Sequence, residues 1–151
     1  MQNNQWNKTS KFTDSKESPG FLLWKTQITW KRMIEKSLYA HDLTHAQFVI
    51  LASTVYLTRD GEQVTQVELA KHASCDINTT SQILRSLEKK GLIRRLSIEG
   101  NEKSKYPVLT EFGYTIFKPA IKTVENVDTE FFSNLTAEEV DKFKLTLLKL
   151  I

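Results

Sequence analysis

This 151-residue chain has one cysteine, no long apolar run and almost no charge imbalance, with a formal net charge of +3. Each scarcity excludes something. A single thiol, Cys75, rules out an intramolecular disulfide framework and fits a reducing compartment. No apolar stretch approaches the ~20 residues that a bilayer-spanning helix needs, so a membrane span is not expected. The segment MQNNQWNKTSKF lacks the apolar centre of a signal peptide, so the expected location is the cytoplasm. There is no glycine-rich phosphate loop, no G-x-S-x-G and no H-E-x-x-H, and the carboxylates are scattered, so catalysis is not expected. The weak positive charge permits nucleic-acid binding without arguing for it, and the distribution of charge has to decide. Apolar residues at 40% and charged residues at 26% are ordinary for a globular protein.

What is present is mostly helical periodicity. Residues 1–17 are polar, with lone aromatics at Trp6 and Phe12, and read as a loose arm that gains structure against a partner. From Phe21 the apolar positions Leu22, Trp24, Ile28, Met33 and Leu38 recur at helical steps, with Ser18 as cap and Pro19 in the first turn. DLTHAQFVILASTVYL follows, with Thr44 and Gln47 forming a capping-box pair. This helix is apolar around most of its circumference, so it should lie at the centre of the domain. After the Arg59-Asp60-Gly61 turn, VTQVELAKHAS is a short helix capped by Thr65 with Glu68 at its third position, expected to bury Val67, Leu69 and Ala70.

The next segment, NTTSQILRSLEKKGLIRR (78–95), carries the signal of interest. On a helical wheel, Ile77, Ile83, Leu84 and Leu87 fall on the side of Thr80. Asn78, Gln82, Arg85 and Lys89 fall opposite, with Thr79, Ser81 and Ser86 between. An exposed face rich in Asn, Thr, Ser, Gln and Arg suits a partner with hydrogen-bonding edges. Two helices joined by the tight Ala73–Asp76 connection, the second apolar inward and polar outward, are what a helix-turn-helix requires. Gly91 ends the helix. LIRRLSI then reads as a strand, EGNEKS as a polar turn and KYPVL as a short edge strand limited by Pro107. Two more helices complete the chain, one over about Thr110–Phe132 carrying Phe112, Ile116, Phe117, Ile121 and Val124. The last is capped by Thr136 with Glu139 and carries Val140, Phe143, Leu147, Leu148 and Ile151.

The element order, with LTHAQFVIL (43–51), VELAKHAS through NTTSQILRSLEKKGLIRR (67–95) and VLTEFGYTIF (108–117), resembles the MarR family of winged-helix transcription regulators. The resemblance spans about residue 18 to the end. It implies a mainly α fold with a small β-wing, in which a winged helix-turn-helix lobe (43–109) is flanked by dimerisation helices (18–42 and 110–151) behind the arm (1–17). It also implies a homodimer on a pseudo-palindromic operator in double-stranded DNA, more often a repressor, commonly released by a small molecule. No cofactor is expected. Two departures bear on the operator. Relatives usually carry Asp-x-Arg at the wing tip, where this chain has Asn101-Glu102-Lys103, and lysine lacks the planar fork that reads the minor groove. Gln82 stands where arginine is common, and glutamine pairs with adenine.

On this basis Asn78, Ser81, Gln82 and Arg85 are the expected base-edge readers. Thr65, Gln66, Thr79, Lys89, Arg94, Arg95, Lys103 and Lys105 are the expected backbone contacts. Trp24, Trp30, Tyr39 and Phe48 are the aromatic candidates for an effector pocket, with Lys25, Lys31 and Arg32 as cations for an anionic ring compound. Other readings stay open: a winged-helix protein-interaction module without sequence-specific DNA binding, or a metal- or redox-sensing variant. Cys75 is the thiol for the latter, but no Lys or Arg adjoins it in sequence, and a buried turn residue is the simpler reading. Glu68, His72 and Cys75, or His41 and His45, would be the metal ligands, and neither set supplies four. A heterodimer subunit is disfavoured by apolar helices at both ends.

Overall fold

The structure is a computed structural model that describes residues 5–98 and 100–151, with the backbone alone at 98 and 101–104. Its elements are α1 (Trp6–Thr9), α2 (Pro19–Leu38), α3 (His45–Thr58), α4 (Gln66–His72), α5 (Ile77–Lys89), β1 (Ile93–Ile98), β2 (Asn101–Leu109), α6 (Glu111–Phe131) and α7 (Ala137–Leu147). The arm carries local structure of its own. It has one helical turn at α1 and a 3-10 turn at Ser15–Glu17, and the Trp6 indole N–H donates to the Phe12 carbonyl between them at 2.8 Å.

Side-chain caps set the helix starts. Ser18 accepts from the Phe21 amide, and Thr44, Thr65 and Thr136 each close a capping box with Gln47, Glu68 and Glu139. Helix α3 packs against α2, α4, α5, α6 and β2, and its Phe48, Ile50 and Leu51 join Ile34, Leu38, Leu69, Leu84, Leu87, Ile93 and Phe117 in one core. It is the centre of the lobe. The long helices α2 and α6 pack on each other beside it, and α6 runs through Pro119 without ending.

β1 and β2 form an antiparallel ribbon in the register Ile93↔Leu109 to Ser97↔Lys105, with an irregularity after Ser97. β2 is longer than the expected 105–109, because backbone pairing extends through residues whose composition reads as turn. Pro107 is buried opposite Arg95. A two-stranded ribbon leaves half its amides without a strand partner, so proline is tolerated there without shortening the strand.

Two buried positions expected from helical wheels are corrected. Val67 is 59% and Ile77 is 51% exposed. Both lie in the first turn of their helix, where no preceding turn covers an inward-pointing side chain.

Candidate nucleic-acid interface

Helix α5 is anchored by its apolar side: Thr80, Leu84 and Leu87 are buried, and the Thr80 hydroxyl donates back to the Asp76 carbonyl at 2.9 Å. Asn78, Thr79, Gln82, Arg85 and Lys89 are exposed on its other side and Ser81 is half-buried. The four expected base readers therefore share one outward face.

The start of α5 is held by a residue the sequence reading passed over. Asp76 accepts from the Thr79 amide at 2.8 Å and from the Thr79 hydroxyl, and these bonds hold its carboxyl below the usual range. The Asp-x-x-Thr spacing was the available signal. The tight turn before it places Ser74 at φ 52°, in the left-handed region, and the Cys75 amide closes the turn on the Ala70 carbonyl at 3.0 Å. Gln66 reaches from α4 to the Ile77 carbonyl at 3.2 Å, so the first turns of the two helices are tied together.

The expected backbone contacts divide. Arg94, Lys89 and Lys105 are exposed. Arg95 is ion-paired: both its Nε and Nη2 donate to Glu88 Oε2, at 2.9 and 2.6 Å. Thr65 is engaged with Glu68 as a cap and Thr79 with Asp76. Between the start of α4 and the ribbon lies a hollow of about 420 Å³, lined by Thr65, Gln66, Val67, Arg95, Lys105 and others. Its two basic lining residues, Arg95 and Lys105, both come from the ribbon. The side chains of Asn101, Glu102 and Lys103 at the wing tip lie outside the described residues.

A second polar network supports the far end of α5. Lys90 binds the Asp42 carbonyl and its carboxylate (3.1 Å), and the buried Gln47 amide donates to the Ser86 hydroxyl at 2.9 Å. Downstream, Thr110 donates to the Gly91 carbonyl at 2.6 Å and accepts from the Gly113 amide at 2.9 Å. Gly113 packs directly on the Leu92 carbonyl, where any Cβ would overlap the oxygen. The L-T-x-x-G stretch is thus the joint between wing and α6.

The four aromatic effector candidates do not converge. Trp24 and Tyr39 are 60% and 88% exposed. Trp30 donates to Asp128 at 2.7 Å and lines an apolar hollow of about 260 Å³ with Leu23, Phe131, Phe132, Phe143 and Leu147. Phe48 is buried against Phe117 and borders a separate apolar groove of about 510 Å³ between α3 and α6. Tyr56 and His72 stack at the rim of that groove, with the Arg59 guanidinium over the Tyr56 ring at 4.1 Å.

The candidate metal ligands point to separate partners. Glu68 caps Thr65, His72 bonds Ser53 at 3.0 Å, His41 bonds Thr123 at 2.8 Å, and His45 stands edge-on to Trp30. Among the described residues, no three His, Cys, Asp or Glu side chains are grouped to hold an ion. Nor is any described helix long and apolar enough to cross a membrane.

Comparison with known proteins agrees with this architecture. The MarR family model matches residues 43–105. The uncharacterized HTH-type transcriptional regulator YdcH of Bacillus subtilis is 40% identical over 130 residues, covering 86% of this chain and 88% of its own. A cysteine-to-serine variant of Escherichia coli MarR, solved in complex with operator DNA, superposes with a TM-score of 0.78 at 29% identity, over 87% of this chain and 92% of that one. The Mycobacterium tuberculosis MarR family protein Rv2887, solved with salicylic acid, gives a TM-score of 0.66 at 28% identity, over 89% and 96% of the two chains. With its wing, its capped recognition helix and its flanking long helices all in place, the chain belongs to the MarR family of winged helix-turn-helix transcription regulators.

Proposed function

We propose that this chain acts as a homodimeric repressor that reads a pseudo-palindromic operator with α5. The observation that carries the reading is the outward face of α5, where Asn78, Ser81, Gln82 and Arg85 stand together on a helix fixed at both ends. Arg85 suits guanine O6 and N7, and Gln82 suits adenine N6 and N7. Lys89, Arg94 and Lys105, with Lys103 at the wing, supply phosphate contacts, and Thr65, Gln66, Thr79 and Arg95 set the register of the elements that carry them. Residues 43–109 form the DNA-binding lobe, and 18–42 with 110–151 pair the two copies behind the arm at 1–17. The exposed Leu22, Leu23, Trp24, Leu145, Leu148 and Leu150 on α2 and the C-terminal segment support such pairing.

The chain works as a binding protein of the cytoplasm and not as an enzyme. An aromatic or anionic effector fits the groove between α3 and α6, where an apolar floor meets Arg59. The relative solved with salicylic acid supports that ligand class.

Selection from a random duplex library at ~0.15 M salt tests the reading. An inverted repeat with half-sites about one helical turn apart is expected. Weak, salt-sensitive retention with no enriched motif would overturn it in favour of a protein-interaction module.

A further inference from the structure

We infer that Ile77 is a specificity residue that reads the C5-methyl group of a thymine in each half-site. This inference rests on the proposed DNA-reading function and deepens it. The starting point is an apolar side chain in the wrong place for stability. Ile77 opens α5 and is 51% exposed, while the buried side of the same helix is supplied by Thr80, Leu84 and Leu87. Ile77 stands at i with Ser81 at i+4 and Arg85 at i+8, so it continues the ridge of proposed base readers towards the N-terminal end of the helix. In a helix-turn-helix that end goes deepest into the major groove.

The position of Ile77 is also held. Its carbonyl accepts from Gln66 on α4, and the preceding residue, Asp76, caps the helix through the Thr79 amide. A side chain projecting from so constrained a backbone meets a base edge with little ordering cost. The chemistry then narrows the target. The base edges in the major groove are mostly hydrogen-bond donors and acceptors, and the one bulky apolar group among them is the methyl of thymine. Isoleucine can make no hydrogen bond, and burying it against polar edges would strip them of water without return. Against thymine methyl both apolar surfaces leave water together. Gln82, on a different face of the same helix, suits adenine, so A·T pairs in one half-site offer a partner to each residue.

The test uses the full-length protein and the duplex recovered by the library selection. Each thymine of one half-site is replaced in turn by uracil, which keeps every hydrogen-bonding group and removes only the methyl. Wild-type protein is expected to lose about fourfold in affinity at one position, the equivalent of one buried methyl group. Ile77→Ala is expected to bind the parent duplex about that much more weakly and to be indifferent to uracil at the same position, with an unchanged circular dichroism spectrum. A uracil scan with no loss anywhere would overturn the inference while leaving DNA reading intact. So would a uracil penalty that survives in Ile77→Ala, which would assign the methyl to another side chain such as Thr79. Failure to enrich any duplex would overturn the DNA-reading function and this inference together.

Discussion

Glu88 Oε2 accepts both Nε and Nη2 of Arg95, at 2.9 and 2.6 Å, and so ties the last turns of the recognition helix to the first strand of the wing. The pair is partly exposed, so its worth in stability is small, about 0.5–1 kcal/mol. Its larger effect is geometric, since it joins the end of α5 to the first strand of the ribbon. Glu88→Gln is expected to cost roughly that amount in urea unfolding at neutral pH. The Arg95 bonds hold the Glu88 carboxyl below its usual range. A depressed carboxyl stabilises fully above its unfolded value and loses that contribution as pH falls through the folded one. The difference between wild type and Glu88→Gln should therefore shrink as pH falls below the unfolded value of ~4.3 and be lost in stronger acid. A difference that persists there would mean that the charge of Glu88 is not what the pair uses.

Gly113→Ala probes the joint between wing and α6. The added Cβ meets the Leu92 carbonyl oxygen, and the neighbouring Leu92 carbon lies 2.9 Å away, so backbone has to move. A loss of about 1–3 kcal/mol is expected in thermal or urea unfolding. A neutral result would show that α6 can slide along the wing without penalty.

Arg85→Ala and Lys105→Ala separate reading from holding. Arg85 lies on the ridge of proposed base readers, and its loss should cost about 1–3 kcal/mol on the selected operator while relaxing preference at one base pair. Lys105 stands beside the basic hollow and should contribute to all duplexes alike. Its removal should lower the slope of log affinity against log salt by about one unit. Equal losses on operator and random DNA for Arg85→Ala would demote it to a phosphate contact.

His45 should make the protein acid-sensitive. It sits at the start of α3, edge-on to Trp30, whose indole is held by Asp128. Burial lowers its pKa from 6.5, with Lys31 acting the same way and Glu35 and Asp128 opposing. The unfolded chain therefore takes up the proton first. The stabilisation is complete above about pH 6.5 and is lost as pH falls towards the folded value. Wild type should become easier to unfold in urea as pH falls below ~6.5, and His45→Phe should flatten that trend. An identical trend in the variant would assign the acid sensitivity elsewhere.

The sequence by itself determined the elements and the face of α5. Capping boxes at Thr44, Thr65 and Thr136, the helical periods and the left-handed Gly91 are local signals, set by bonds between residues three or four apart. Asn78, Gln82 and Arg85 point outward because Thr80, Leu84 and Leu87 must point in, and one helical wheel contains both facts. Wheels failed at Val67 and Ile77, since periodicity assumes a covered helix and neither first turn is covered. The tertiary structure decided the rest. It gave Arg95 to Glu88, Gln66 to the Ile77 carbonyl and Gly113 to the Leu92 carbonyl, and it set Trp30 and Phe48 in separate hollows. Those pairings join residues distant in the chain or on different elements, and only packing brings such groups within reach. Which cation is free to meet a phosphate, and which is already spent inside the fold, is therefore a property of the assembled lobe.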